Sequence, residues 1–483
     1  MRGGSTGLPP DGTWTDLQAH GLGGQKDLPI PLDLAVAGAV AALVVSFTVL
    51  ALAWRRSRFD RPDAESAGRP APAWLQTIVG SRAFTLALRG FGMVVFAYTA
   101  FAAVFGRDST INPFFGIFLV WLWVGLVPMS LLFGPFWKAI SPVRTINRAF
   151  AAIAGTDPAE GLYSYRERWG YWPAAIGLYA FVWFELVYPH LTELGPARFW
   201  CATYVAIMLI GGALFGERFY ERADPFEVYS TLVAKLSPWA THEGRLLLRN
   251  PLANLATTVP GPGLIVVVGI LFGSTGYDSF RESPTFVTFV QESSLHGDLL
   301  RNAALIVFCI GATLALILGT MAMGLSSWVP APVRAVLARV RSGTAPTPAD
   351  SLLPDGVRRR ALPSLFAHSI VPIIVGYMIA HYLTYLIETG SRTLILASDP
   401  LSRGSNLLGT ADWQQVTWLS YHPTLLANIK VLAVVIGHVV AAVAAHDRAV
   451  RLLPARHQLT GQLPLLIAMV GFTSGGLYLL FSS

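Results

Sequence analysis

The chain has 483 residues, 53% hydrophobic and only 13% charged, with a net charge of +7. Soluble domains carry about 25% charged residues, so this composition excludes a soluble globular protein. Its two cysteines, Cys201 and Cys309, support neither a disulfide framework nor a cysteine metal site.

An N-terminal segment, residues 1–31, precedes a polytopic membrane domain over 32–483. Residues 1–30 contain no apolar run long enough for a signal-peptide core, so the first span is expected to serve as its own anchor. Within the segment, His20-Gly21-Leu22-Gly23-Gly24 leads to Asp27-Leu28-Pro29-Ile30-Pro31. Glycines free this backbone, and the prolines stiffen the entry to the first helix. Either the stretch is a loose tether, or it folds His20 and Asp27 onto the mouth of the bundle.

A membrane-spanning helix needs roughly 20 predominantly apolar residues. In chain order the sequence predicts ten: Leu32–Trp54, Phe84–Phe105, Phe114–Phe133, Tyr171–Pro189, Ala197–Gly216, Pro260–Ser274, Asn302–Leu325, Leu362–Ile387, Thr424–His446 and Leu463–Phe481. The fold class is therefore all-α, a polytopic transmembrane bundle. The sixth stretch is short and follows Pro260-Gly261-Pro262-Gly263, so it reads as a kinked span or a re-entrant segment. Ser342–Pro354 reads as a linker.

Lys and Arg give the orientation. Loops after odd-numbered spans hold about 25 of the 35 basic residues, and the opposite loops hold about 8. The positive-inside rule then makes this a multi-pass plasma-membrane protein with both termini extracytoplasmic. Basic residues that follow topology give no reason to invoke nucleic acid; the expected partners are the lipid bilayer and an apolar small molecule.

A weak repeat follows the third and fifth spans. Leu132-Phe133-Gly134, Phe136-Trp137 and Ser141-Pro142-Val143 parallel Leu214-Phe215-Gly216, Phe219-Tyr220 and Asp224-Pro225-Phe226. Ser or Asp before Pro suits an N-cap and first helical position, predicting an interfacial helix after each. Ala331-Pro332-Val333-Arg334 is a looser third copy. These segments are either duplicated helical hairpins or unrelated spans that end alike at an aromatic interface.

Charged groups at membrane depth cost at least ~2.5 kcal/mol each, so each needs a partner or a purpose. Glu185, His381 and Lys430 fall roughly 6–9 Å from the midplane at the same level, at 1.5 Å rise per residue. They read as a catalytic or proton-relay group, or as a buried ion pair fixing helix register. Arg89, His368 and His438 lie in the opposite half. His20, His190, His381, Glu388 and His422 collect on the extracytoplasmic side, and His with carboxylate is a donor set for a divalent metal. Their spacing matches no metal motif. Two stacked haems would need histidines at both depths on a second helix, where the ninth span offers Lys430 at the outer level.

The His20–Pro31 stretch, with the length and the span pattern, resembles actinobacterial multi-pass membrane proteins that carry the family label fenitrothion hydrolase. The resemblance implies phosphotriester hydrolysis by a metal-bound hydroxide. Glu185, His190, His381 and Glu388 would be the first residues to support it. The alternatives are a proton- or ion-coupled transporter using the buried Glu/His/Lys network, or a non-catalytic membrane assembly protein.

Overall fold

A computed structural model describes residues 27–61, 64–323, 357–453, 458 and 460–481. His20, the third repeat copy and the linker lie outside them. Among the described residues eight helices are long and apolar enough to cross a membrane: Leu32–Leu50, Arg82–Phe105, Leu194–Phe215, Leu264–Arg281, Gly297–Met321, Arg359–Leu396, Pro423–Leu452 and Leu463–Phe481. A ninth is the third predicted span, Pro113–Val124 with Leu126–Phe133, bent by 43°. The fourth stretch falls short. Its helix, Trp172–Leu186, has 15 residues, or about 22 Å at 1.5 Å each. It stops at Val187, ahead of Pro189, and is tolerated because protein covers one face of it and bonds both its ends.

The sixth span forms one continuous helix, Leu264–Arg281, and does not recruit Val259. Gly263, at φ 82°, sets its start. It then runs past Ser274 for two further turns, carrying Tyr277, Asp278, Ser279 and Arg281. Polar residues are tolerated there because the helix is central: 72% of its most apolar window is buried, against 17% for the second and fifth spans.

The eighth span is the other central helix, at 78%, and it is segmented. A 3₁₀ turn covers Ala367–Ile370. Pro372 lacks the N–H that His368 O would otherwise accept, and Val371 N–H bonds that carbonyl instead. A π segment follows at Tyr385–Thr389 and packs on a second, Gly116–Val124, in the third span. There the Trp121 indole donates to Gly390 O at 3.2 Å.

Helices four, six and eight run parallel. Their starts meet where Tyr171 N donates to Pro262 O and Gly261 N to the Ser364 hydroxyl. Their ends meet where Arg281 donates to Leu186 O and His381 reaches Asp278. Glycines let the antiparallel neighbours close in, as is usual between membrane helices. A Cβ on Gly376 would lie 2.4 Å from Ala433 O, and one on Gly437 2.6 Å from Pro372 O.

The repeat is structural. Gly134 (φ 83°, ψ −151°) and Gly216 (φ 65°, ψ −160°) share one backbone geometry. Short helices Phe136–Ile140 and Glu217–Ala223 follow. The Ser141 and Asp224 side chains then cap Pro142–Ala154 and Pro225–Ala234. Equivalent residues 83 apart pair with each other: Lys138 with Glu221 at 2.8 Å, and Arg144 with Glu227 through two 2.6 Å bonds. Each post-proline helix packs on the other copy's long helix. This exchange is the mark of a local pseudo-two-fold axis. The first copy's helix exposes Phe150 and Ile153, as an interfacial helix should. The second is a correction to the expectation: all but Thr231 of Pro225–Ala234 is buried, enclosed by its partner copy.

Strands are few. Residues β1 (Arg69–Pro70), β2 (Trp239–His242) and β3 (Arg245–Leu248) form an antiparallel sheet in the order β1-β3-β2. Glu243 and Gly244, both at positive φ, make the hairpin turn.

Candidate functional site

Where the parallel helices end together, Asp278 organises the interior. One carboxylate oxygen accepts from His381 Nε2 at 2.9 Å and from the Tyr382 hydroxyl at 2.5 Å. The other meets Arg281 Nε at 2.8 Å. Asp278 and Arg281, one helical turn apart, face the same way because i and i+3 share a face. His381 uses its second nitrogen as well, bonding the Ser279 hydroxyl at 3.2 Å. Ser279 in turn bonds the Tyr377 hydroxyl at 2.9 Å, and Tyr377 donates to Gly476 O at 3.3 Å.

Two cavities flank this chain. Tyr377 and Gly476 border one of about 330 Å³ between the sixth, seventh and tenth spans. Glu185 and Arg281 border another, of about 610 Å³, beside the ends of helices four and six. Glu185 is 5% exposed, and Asp278 and Arg281 are the charges that act on it. Two buried carboxylates thus lie in the field of one guanidinium, which is ion-paired with Asp278. That leaves one negative charge to be balanced by a proton or a cation, since an uncompensated buried charge is strongly disfavoured.

The sequence-predicted residues separate into groups. His381 bonds Asp278, and Glu185 feels its charge without bonding it. Lys430 is fully buried, but the acids acting on it are Asp27 and Glu282 rather than Glu185. Glu282 lies 3.9 Å from Arg281, so Lys430 joins the network at its edge, and the N-terminal segment reaches it through Asp27. His368 and His438 each bond a carbonyl of their own helix, Leu365 O at 3.0 Å and Val434 O at 2.8 Å.

The proposed metal donors among the described residues are not gathered. Among the described residues no group of three or more His, Cys, Asp or Glu side chains could hold a metal ion. His190 pairs with Glu193 at 2.7 Å on an exposed turn. Glu388 bonds Ser420, and His422 bonds Trp418 O at 2.7 Å. His381 has both nitrogens engaged by Asp278 and Ser279. These residues do not fit a shared divalent ion, because separate helix ends and loops hold them.

Asp278, Ser279, Arg281, Tyr377 and Tyr382 were missed in the sequence. The signal was present: Asp278 and Arg281 stand three apart, directly beyond an apolar helix. Hydropathy ended that helix too early.

No known protein family matches the chain, and no curated protein or solved structure matches it. The site alone carries the functional argument.

Proposed function

We propose that this is a proton-coupled membrane transporter whose exchangeable proton is held by Glu185, Asp278 and His381. The observation that carries the reading is the buried Asp278 carboxylate, shared by Arg281, His381 and Tyr382 and continued by hydrogen bonds through Ser279 to Tyr377. Every link can both donate and accept a proton, apart from the carbonyl at its end. Intramembrane acid–histidine chains of this kind suit proton relays. The paired π segments and the 3₁₀ break supply helix irregularities of the sort that accompany functional motion. With both termini extracytoplasmic, the two cavities belong to the extracytoplasmic half.

Phosphotriester hydrolysis, implied by the N-terminal resemblance, would require a metal-bound hydroxide. The donors closest to that role are engaged with protein partners, so the relay is the reading carried forward.

The test is proton uptake into proteoliposomes holding a pH-sensitive dye, driven by a potassium diffusion potential. Wild type should exceed protein-free vesicles, Asp278→Asn should abolish the excess and His381→Gln should reduce it. No excess in the wild type, or an unchanged rate in Asp278→Asn, would sink the proposal.

A further inference from the structure

The larger cavity is shaped for more than a proton. Two groups on its wall are enclosed yet lack any hydrogen-bond partner in the protein: Glu185 Oε2 and Tyr277 Oη. Tyr277 is 0% exposed. The cavity's two arginines are already engaged. Arg281 is bound to Asp278 and Leu186 O, and Arg301 pairs with Asp298 at 3.1 Å on the exposed rim. The charge left unmatched inside is therefore negative, and it is that of Glu185. Phe286, Val287 and Val290 from helix Pro284–Glu292 make the opposite wall apolar.

We infer that this cavity is the substrate site for a small organic cation, a protonated primary amine on an apolar body, whose ammonium group bonds Glu185 and Tyr277. An ammonium offers three donors and no acceptor, which complements a carboxylate oxygen and a hydroxyl that both lack partners. The phenyl ring of Phe286 gives the apolar body a surface to pack on, and aromatic faces also attract cations. A volume of about 610 Å³ lies within the usual range of small-molecule sites.

The assignment rests on the proton-relay reading for its coupling. One carboxylate holds either the amine or the proton, so binding one expels the other. The groups facing Glu185 that set this competition are Asp278 and Arg281 from the sixth span, Tyr382 and Tyr385 from the eighth, and Tyr229 from Pro225–Ala234. Glu282 and Arg301 complete the charges on the cavity wall.

Phenethylammonium is the probe, titrated calorimetrically into the full chain in detergent, in two buffers of different ionisation enthalpy. Wild type should bind it with release of about one proton, and phenethyl alcohol should not bind. Glu185→Gln should lose about tenfold or more in affinity, and Tyr277→Phe several-fold, for the loss of a buried bonding partner. No binding by folded wild type, or binding unchanged by Glu185→Gln, overturns the site. Should Glu185→Gln fail to fold, an unchanged affinity in Tyr277→Phe overturns it instead. The flux assay on the same preparations separates the two claims. Proton flux without amine binding removes the site and leaves the relay; Glu185-dependent binding without flux removes the relay and supports the site.

Discussion

Asp224 shows how an acid outside the spanning helices is tied to folding. Its side chain caps Phe226 N and accepts from the Trp137 indole and the Tyr204 hydroxyl, each at 3.0 Å. Burial, followed by neighbouring Glu227, pushes its pKa up to about 7 from an ordinary 3.8, although the Trp137 and Tyr204 bonds pull the other way. Below the ordinary value both folded and unfolded chains hold the proton. Between about 4 and 7 the folded chain keeps a proton that the unfolded chain has lost, so stability falls as pH rises through that window and levels off above it. Thermal unfolding in detergent from pH 4 to 8 should show this decline, and Asp224→Asn should flatten it. An identical slope in the variant would remove Asp224 as the cause. At this scale the sequence was legible where chemistry is local. The Ser-Pro and Asp-Pro caps could be read directly, and Glu185 and His381 stood out as ionisable groups in apolar helices. Asp278 was not legible, because its partners His381 and Tyr382 come from residues more than 100 positions away.

At the scale of elements, all ten apolar stretches correspond to helices, because lipid leaves the backbone few other ways to satisfy its hydrogen bonds. The misreadings occur where protein replaces lipid as the surroundings. Trp172–Leu186 needs no full bilayer length because neighbouring helices bury one face of it and bond both its ends, and Leu264–Arg281 keeps polar residues in its last turns because its surroundings are protein. Hydropathy cannot see this, since it scores each helix against lipid alone. Glycine contacts are the complementary case, invisible until the helices are placed. Gly376→Ala would drive a methyl group into the carbonyl of Ala433 on the ninth span, and overpacking of this kind costs about 1–3 kcal/mol. Gly90 has open space around it, so Gly90→Ala should be neutral or gain up to about 1 kcal/mol from helix propensity. Unfolding midpoints of the two variants check the contrast. Equal effects would mean that the close approach of the eighth and ninth spans at Gly376 does not limit stability.

For the molecule as a whole, connectivity sorts the loops onto two faces, and the expected orientation rests on the charge of those faces. The parallel run of helices four, six and eight means that the loops following them share a face, as strict alternation of spans requires. The local two-fold reinforces this. Its two long helices are the third and fifth spans, which alternation sends across in the same direction, so the axis lies along the membrane normal, and the ion pairs Lys138–Glu221 and Arg144–Glu227 gather on a single face. That face also receives most of the Lys and Arg, which cytoplasmic loops favour. The proposed relay and amine cavity sit at the opposite, charge-poor end, which the positive-inside rule expects to face outside the cell. A membrane-impermeant maleimide applied to intact cells tests this in a chain with Cys201 and Cys309 replaced by Ala. Cysteine at Gln415, exposed in the loop before the ninth span, should label without permeabilisation. Cysteine at Thr156, exposed just after Pro142–Ala154, should label only once the membrane is opened. The reverse pattern would put the cavity on the cytoplasmic side, and the proposed exchange would then have to load its amine from within the cell.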